Sequence, residues 1–163
     1  MVLNPLDIAL DWNDLFPNPD FPHEGTPLEK FPFHCLRCRK SIAFVAFHLH
    51  PVQLEMIREQ VYEWTLQYFA IDQLRSGSYL EWANAQLTDP ISPVNALGLE
   101  ICADLRTVRK CYYSIFLLDS LYLIEDRTLC PKCQQPLQPF TDREYQDPAY
   151  LCPQCNIAVR VNL

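Results

Sequence analysis

The chain has 163 residues, 49% of them apolar and 12% aromatic, enough for one cored domain with appendages. Its formal charge of -7 is concentrated at one end: residues 1–29 hold Asp7, Asp11, Asp14, Asp20, Glu24 and Glu29 with no Lys or Arg, so the remainder is nearly neutral. A whole-molecule attraction to polyanions is therefore excluded, and any nucleic-acid contact must come from a local patch.

Six of the 8 cysteines lie in C-x-x-C pairs, Cys35/Cys38, Cys130/Cys133 and Cys152/Cys155, while Cys102 and Cys111 stand apart. No signal peptide is expected, because Asp7 and Asp11 sit where an apolar h-region would be. The longest apolar run, Cys111 to Ile124, is too short to cross a bilayer and is interrupted by Asp119. The expectation is a soluble, intracellular, cytoplasmic protein whose paired cysteines are metal ligands rather than a disulfide frame.

Residues 1–32 read as an acidic, Pro-rich arm. Pro17, Pro19, Pro22, Pro27 and Pro32 make its second half extended or irregular. Ahead of them, Leu6 to Phe16 interleaves apolar and acidic residues. Such a segment can lay Trp12, Leu15 and Phe16 on a partner groove while its carboxylates stay wet. Alternatively, the arm packs on its own body.

Residues 33–50 read as a knuckle followed by a strand, Ser41 to His50. A C-x-x-C that opens a helix suggests thioredoxin-like redox chemistry, but Cys35/Cys38 open a strand. A metal at Cys35 and Cys38 needs two more ligands. His48 and His50 share a strand face and can supply them. Cys102 and Cys111 are the other candidates, but nine residues apart on one helix they are about half a turn out of phase. They can join one site only if the helix breaks between them. The other reading of Cys35/Cys38 is a pair of buried thiols with no metal.

Residues 51–126 read as a helical body. Pro51 suits a first helical turn, and Leu54, Ile57, Val61, Trp64 and Tyr68 form one apolar stripe. Glu55, Glu59 and Glu63 fall off that stripe, as a solvated face does. Gly77 ends the pattern, and Ser78 with Glu81 has the spacing of a capping box for a short helix to about Leu87. Ser92-Pro93 signals a third helix, with the stripe Val94, Leu97, Ile101, Leu105, Val108 and Tyr112. From Tyr113 onward the run suits strand or helix, and the reading adopted is a helix to about Leu118. Arg106, Arg109 and Lys110 near this helix's end suit its macrodipole, and with Arg37, Arg39 and Lys40 they also form a candidate phosphate-binding patch.

Residues 127–163 carry the strongest signal, Cys130-Pro-Lys-Cys133 and Cys152-Pro-Gln-Cys155. Two such pairs at this separation are what one tetrahedral Zn²⁺ requires. Ile157, Val159 and Val161 alternate with Ala158 and Arg160 as a closing strand should. The segment resembles the zinc-ribbon fold group, which implies Cys130, Cys133, Cys152 and Cys155 as ligands of a structural metal between short antiparallel strands. Ribbons commonly place Gly after the second cysteine of each knuckle, where φ is positive; Gln134 and Asn156 stand there. Arg127, Lys132, Arg143 and Arg160 can offset the negative charge of four thiolates.

No nucleotide-binding, P-loop, zinc-protease or nucleophile-elbow motif occurs, and Gly25, Gly77 and Gly98 are the only 3 glycines. The expected architecture is α+β: a helical body with a C-terminal Cys₄ zinc ribbon and a second, N-terminal C-x-x-C knuckle followed by a strand. The expected function is a non-catalytic zinc-binding adaptor or accessory subunit on a larger protein assembly. The alternative is a nucleic-acid-binding zinc-ribbon subunit of a nucleoprotein complex. A third reading is a metalloenzyme with an open metal position near Cys35/Cys38.

Overall fold

In the computed structural model, residues 8–10, 33–35, 50–107, 110–115, 129–140 and 149–160 are described. Helix α1 (Pro51–Leu74) begins where Pro51 needs no amide donor, and His50 caps it: Nδ1 accepts from the Val52 amide at 3.4 Å. That cap engages Nδ1, one of the two ring nitrogens with which His50 could hold a metal. His48 and the proposed strand preceding His50 lie outside the described residues. Ile57, Val61, Trp64 and Tyr68 are buried along α1, while Glu55, Glu59 and Glu63 are exposed.

Helix α2 (Leu80–Thr88) follows a short turn, and its N-cap is Tyr79, with no side-chain cap bond. The capping box expected from Ser78 and Glu81 does not form. Its place is taken by a tight turn in which the amides of Gly77 and Leu80 bond to the carbonyls of Leu74 and Gly77. Arg75 joins the two helices by donating to Asp72 Oδ1 at 2.9 Å and to Asn84 Oδ1 at 3.1 Å. Helix α3 (Pro93–Asp104) starts as its sequence requires, with Ser92 Oγ accepting from the Asn95 amide.

α3 does not run on to Leu118. It ends at Asp104 in a 3-10 turn, Leu105–Thr107, and Cys111–Ile115 form strand β3. A β-branched and aromatic stretch buried on both faces carries no period that separates strand from helix, and here sheet pairing on both edges decides. Ending the helix reverses the chain and brings Cys102 and Cys111 together, with Sγ atoms 3.1 Å apart.

β3 is an interior strand of a six-stranded mixed sheet, in the order β2-β1-β3-β6-β5-β4. Strands β1 (Ile8–Leu10) and β2 (Phe33–Cys35) pair antiparallel, and β1 runs parallel to β3. Part of the N-terminal segment thus packs on its own body, with the backbone of 8–10 inside the sheet. β4 (Gln138–Phe140), β5 (Ala149–Cys152) and β6 (Ile157–Arg160) form an antiparallel meander, and β6 runs parallel to β3.

Alternation along β3 and β6 divides the two faces. Tyr113, Ile115, Ile157 and Val159 join the core under α1 and α3, while Tyr112 and Ala158 cluster with Phe140 and Leu151 on the other face. A chain of buried polar contacts crosses the helical core. Trp64 Nε1 donates to Tyr113 Oη at 3.3 Å, and Tyr113 Oη donates to Asn95 Oδ1 at 2.8 Å. Asn95 Nδ2 in turn donates to the carbonyls of Gln86, Leu87 and Asp89. The end of α2, the start of α3, the middle of α1 and the central strand are therefore held by one connected set of bonds. Among the described residues, no helix is long and apolar enough to cross a membrane.

Candidate metal centre

The first knuckle is a tight turn closed at its base by a bridge between Leu129 and Pro136. The Cys130 amide donates to Gln135 O at 2.8 Å, and the Gln134 amide donates back to Cys130 O at 2.9 Å. This reversal needs a left-handed residue, and Gln134 supplies it with φ 59°. Pro131 sits at the one position of the turn whose amide is not needed, while the amides of Cys133 and Lys132 are directed at Cys130 sulfur.

The second knuckle caps the β5–β6 hairpin, where Cys152 and Ile157 are the last cross-strand pair. Cys155 N donates to Cys152 Sγ at 3.4 Å, and Asn156 takes the left-handed position with φ 54°. This knuckle is tied to the central strand directly, because the Tyr113 amide donates to Asn156 O at 2.7 Å.

These two turns bring the sulfurs of Cys130, Cys133, Cys152 and Cys155 within 4.8 Å of one another. Cys133 and Cys152 are 3.6 Å apart. Four sulfurs each about 2.3 Å from a common centre stand roughly 3.8 Å from one another, so the cluster has the size that one tetrahedral ion requires. Cys130 and Cys152 are buried, and Cys133 and Cys155 are half-buried.

The electrostatics point the same way. Burial pushes the Cys130 thiol up, and burial with the neighbouring sulfurs pushes Cys155 up strongly. Cys133 is held down to about 7, chiefly by the Gln135 amide aimed at its sulfur. Four negative sulfurs this close need a cation among them, and a bound metal converts the raised thiols to thiolates. A tetrahedral S₄ donor set suits Zn²⁺ or iron. With all four positions taken by protein sulfur, such an ion offers no site for water or substrate.

The other residues singled out from sequence are placed as follows. Cys35 ends β2, its backbone in register with Ile8; Cys38 lies outside the described residues. Arg106 is exposed in the 3-10 turn. Lys110 is half-buried, with Nζ 5.1 Å from the centre of the Tyr112 ring, a cation–π contact that draws it onto the sheet. Arg37, Arg39, Lys40, Arg109, Trp12, Leu15 and Phe16 lie outside the described residues, as do Arg127 and Arg143. Lys132 is exposed within the first knuckle.

Sequence reasoning did not find the Trp64–Tyr113–Asn95 chain or the Cys102–Cys111 contact. A signal was present: Asn95, Gly98 and Cys102 are small or polar residues on the buried side of α3, where a stripe of large apolar residues would be usual. Such a stripe leaves room for a bulky neighbour, and Tyr113 fills it. No protein-family model matches the chain, and no curated protein or solved structure matches it significantly.

Proposed function

We propose that the protein is a non-catalytic zinc-binding adaptor or accessory subunit that docks on a larger protein assembly. One observation carries this reading: four sulfurs converge in a closed set, with no coordination position left for chemistry. Zn²⁺ fits that set, being tetrahedral and redox-inert, and its role is to fix two knuckles that have little core of their own. Through the Tyr113–Asn156 bond the ion also fastens the meander to the central strand. Docking is supported by Tyr79, Leu80, Trp82 and Ile91, large apolar residues exposed around α2. The apolar residues Trp12, Leu15 and Phe16, interleaved with acidic neighbours, remain the proposed partner-binding segment.

Removing residues 1–30 would also remove β1, an interior strand, so the test uses substitutions instead. Full-length chain and a Trp12→Ala/Leu15→Ala/Phe16→Ala variant serve as affinity baits in extracts of the native cell, with and without nuclease. The expected result is a set of co-purifying proteins that survives nuclease and is lost from the variant, with unchanged zinc content. Equal recovery by both baits would remove this segment as the docking element. Loss on nuclease treatment would replace the adaptor reading with the nucleic-acid one.

A further inference from the structure

Cys102 and Cys111 have no part in the four-sulfur centre. Cys102 lies two residues before the end of α3, and Cys111 is the first residue of β3. Both are fully buried, in the same apolar cluster as Ile101, Leu105 and Ile115. Their Sγ atoms are 3.1 Å apart. Among the described residues, no third sulfur, imidazole or carboxylate joins them in a ligand group. A disulfide bond is about 2.0 Å long, so roughly 1 Å of movement would join them.

We propose that Cys102 and Cys111 form a reversible intramolecular disulfide that fastens the last turn of α3 to the central strand, by exchange with a small dialkyl disulfide such as oxidised glutathione. In the first step the thiolate of one cysteine bonds to one sulfur of the external disulfide. The external S–S bond breaks, and one small thiolate leaves and takes up a proton. The second protein thiolate then attacks the protein sulfur of the mixed disulfide and expels the other small thiol. Two protein thiols lose two electrons and two protons, and one external disulfide becomes two thiols.

The apolar surroundings explain why the pair is a slow switch rather than a reactive site. Burial keeps an external disulfide from reaching the thiols, and exchange proceeds when the junction between α3 and β3 opens. Both cysteines border that junction, so a local opening exposes them together. Once the bond has formed, residues 103–110 are a closed loop, and the junction no longer opens separately.

Chain loaded with zinc is incubated with oxidised glutathione, alkylated and digested with trypsin. Cleavage after Arg106 and Lys110 severs the backbone between the two cysteines. The expected product is the peptide of Cys102 linked to the peptide of Cys111, two hydrogens lighter than their sum. It should be reversed by a dithiol reductant and be accompanied by no loss of zinc. The oxidised chain should also unfold at higher urea than the reduced chain. In Cys102→Ala, Cys111 should stop at the glutathione adduct; if that variant does not fold, the wild-type map decides alone. Separately alkylated peptides, stable glutathione adducts on both, linkage to any other cysteine, or protection of both by a second chelatable metal ion would each overturn the proposal.

Discussion

Gly98 of α3 lies directly against the ring of Tyr113 in β3. A Cβ at position 98 would meet that ring, at 2.6 Å from Cζ and 2.7 Å from Cδ2. The ring cannot give way easily, because Tyr113 is fully buried and its hydroxyl is bonded to both Trp64 and Asn95. Two effects oppose each other in Gly98→Ala. Helix propensity favours Ala by about 1 kcal/mol. Overpacking a rigid aromatic costs about 1–3 kcal/mol, to which the loosened hydroxyl bonds add. Overpacking should win, and urea denaturation should show a net loss of about 1–2 kcal/mol.

Tyr113→Phe removes one oxygen and keeps the ring. Trp64 Nε1 loses its acceptor Tyr113 Oη, and Asn95 Oδ1 loses its donor, both in the core. The expected cost is about 1–3 kcal/mol, measured by equilibrium unfolding. Asn95→Ala should cost at least as much, since three carbonyls at the α2–α3 junction lose their shared donor. The double variant should fall short of the sum, because both changes break the same connected set.

Gln134 holds φ 59°, where an L side chain is strained. Its one side-chain bond, from Nε2 to Pro131 O at 3.4 Å, is exposed and long. Gln134→Gly relieves the strain but raises unfolded-chain entropy, so the net gain should be about 0.5–1 kcal/mol. Gln134→Val should destabilise by more than that, since a β-branched residue resists the left-handed region. Thermal unfolding of the metal-loaded chain measures both.

Metal binding should release protons. Cys130 and Cys155 are pushed up by burial and hold their protons at neutral pH without an ion, whereas Cys133, near 7, is already largely ionised above that value. The ion-bound state requires thiolates, so it carries fewer protons than the ion-free state. By linkage, affinity rises with pH and the ion is lost on acidification, most steeply below about 7 where Cys133 also takes up a proton. Calorimetry in buffers of different ionisation enthalpy should give about two or more protons released per ion at pH 7.5.

What could be read from sequence was local. Knuckle spacing, the left-handed positions of Gln134 and Asn156, the α1 stripe and the Ser92-Pro93 start of α3 each depend on neighbours a few residues away. What could not be read was long-range. Nothing in Ile8–Leu10, set between Asp7 and Asp11, marks an interior strand; its place comes from pairing with β3 more than a hundred residues later. Cys111–Ile115 is buried on both faces because helices cover one side and the Phe140–Leu151 cluster meets the other, so its period is lost. The apparent capping box at Ser78 failed because a turn reaching back to Leu74 satisfied the chain first. Cys102 and Cys111 looked out of phase only on the assumption that one helix carried both.

The central claim is that Cys130, Cys133, Cys152 and Cys155 hold one ion. Native mass spectrometry of the full chain, compared with a Cys130→Ser/Cys152→Ser variant, tests it most directly. Wild type should carry exactly one more zinc ion than the variant, whatever else is bound elsewhere. Equal metal content in the two chains, with the wild-type meander still ordered, would contradict it.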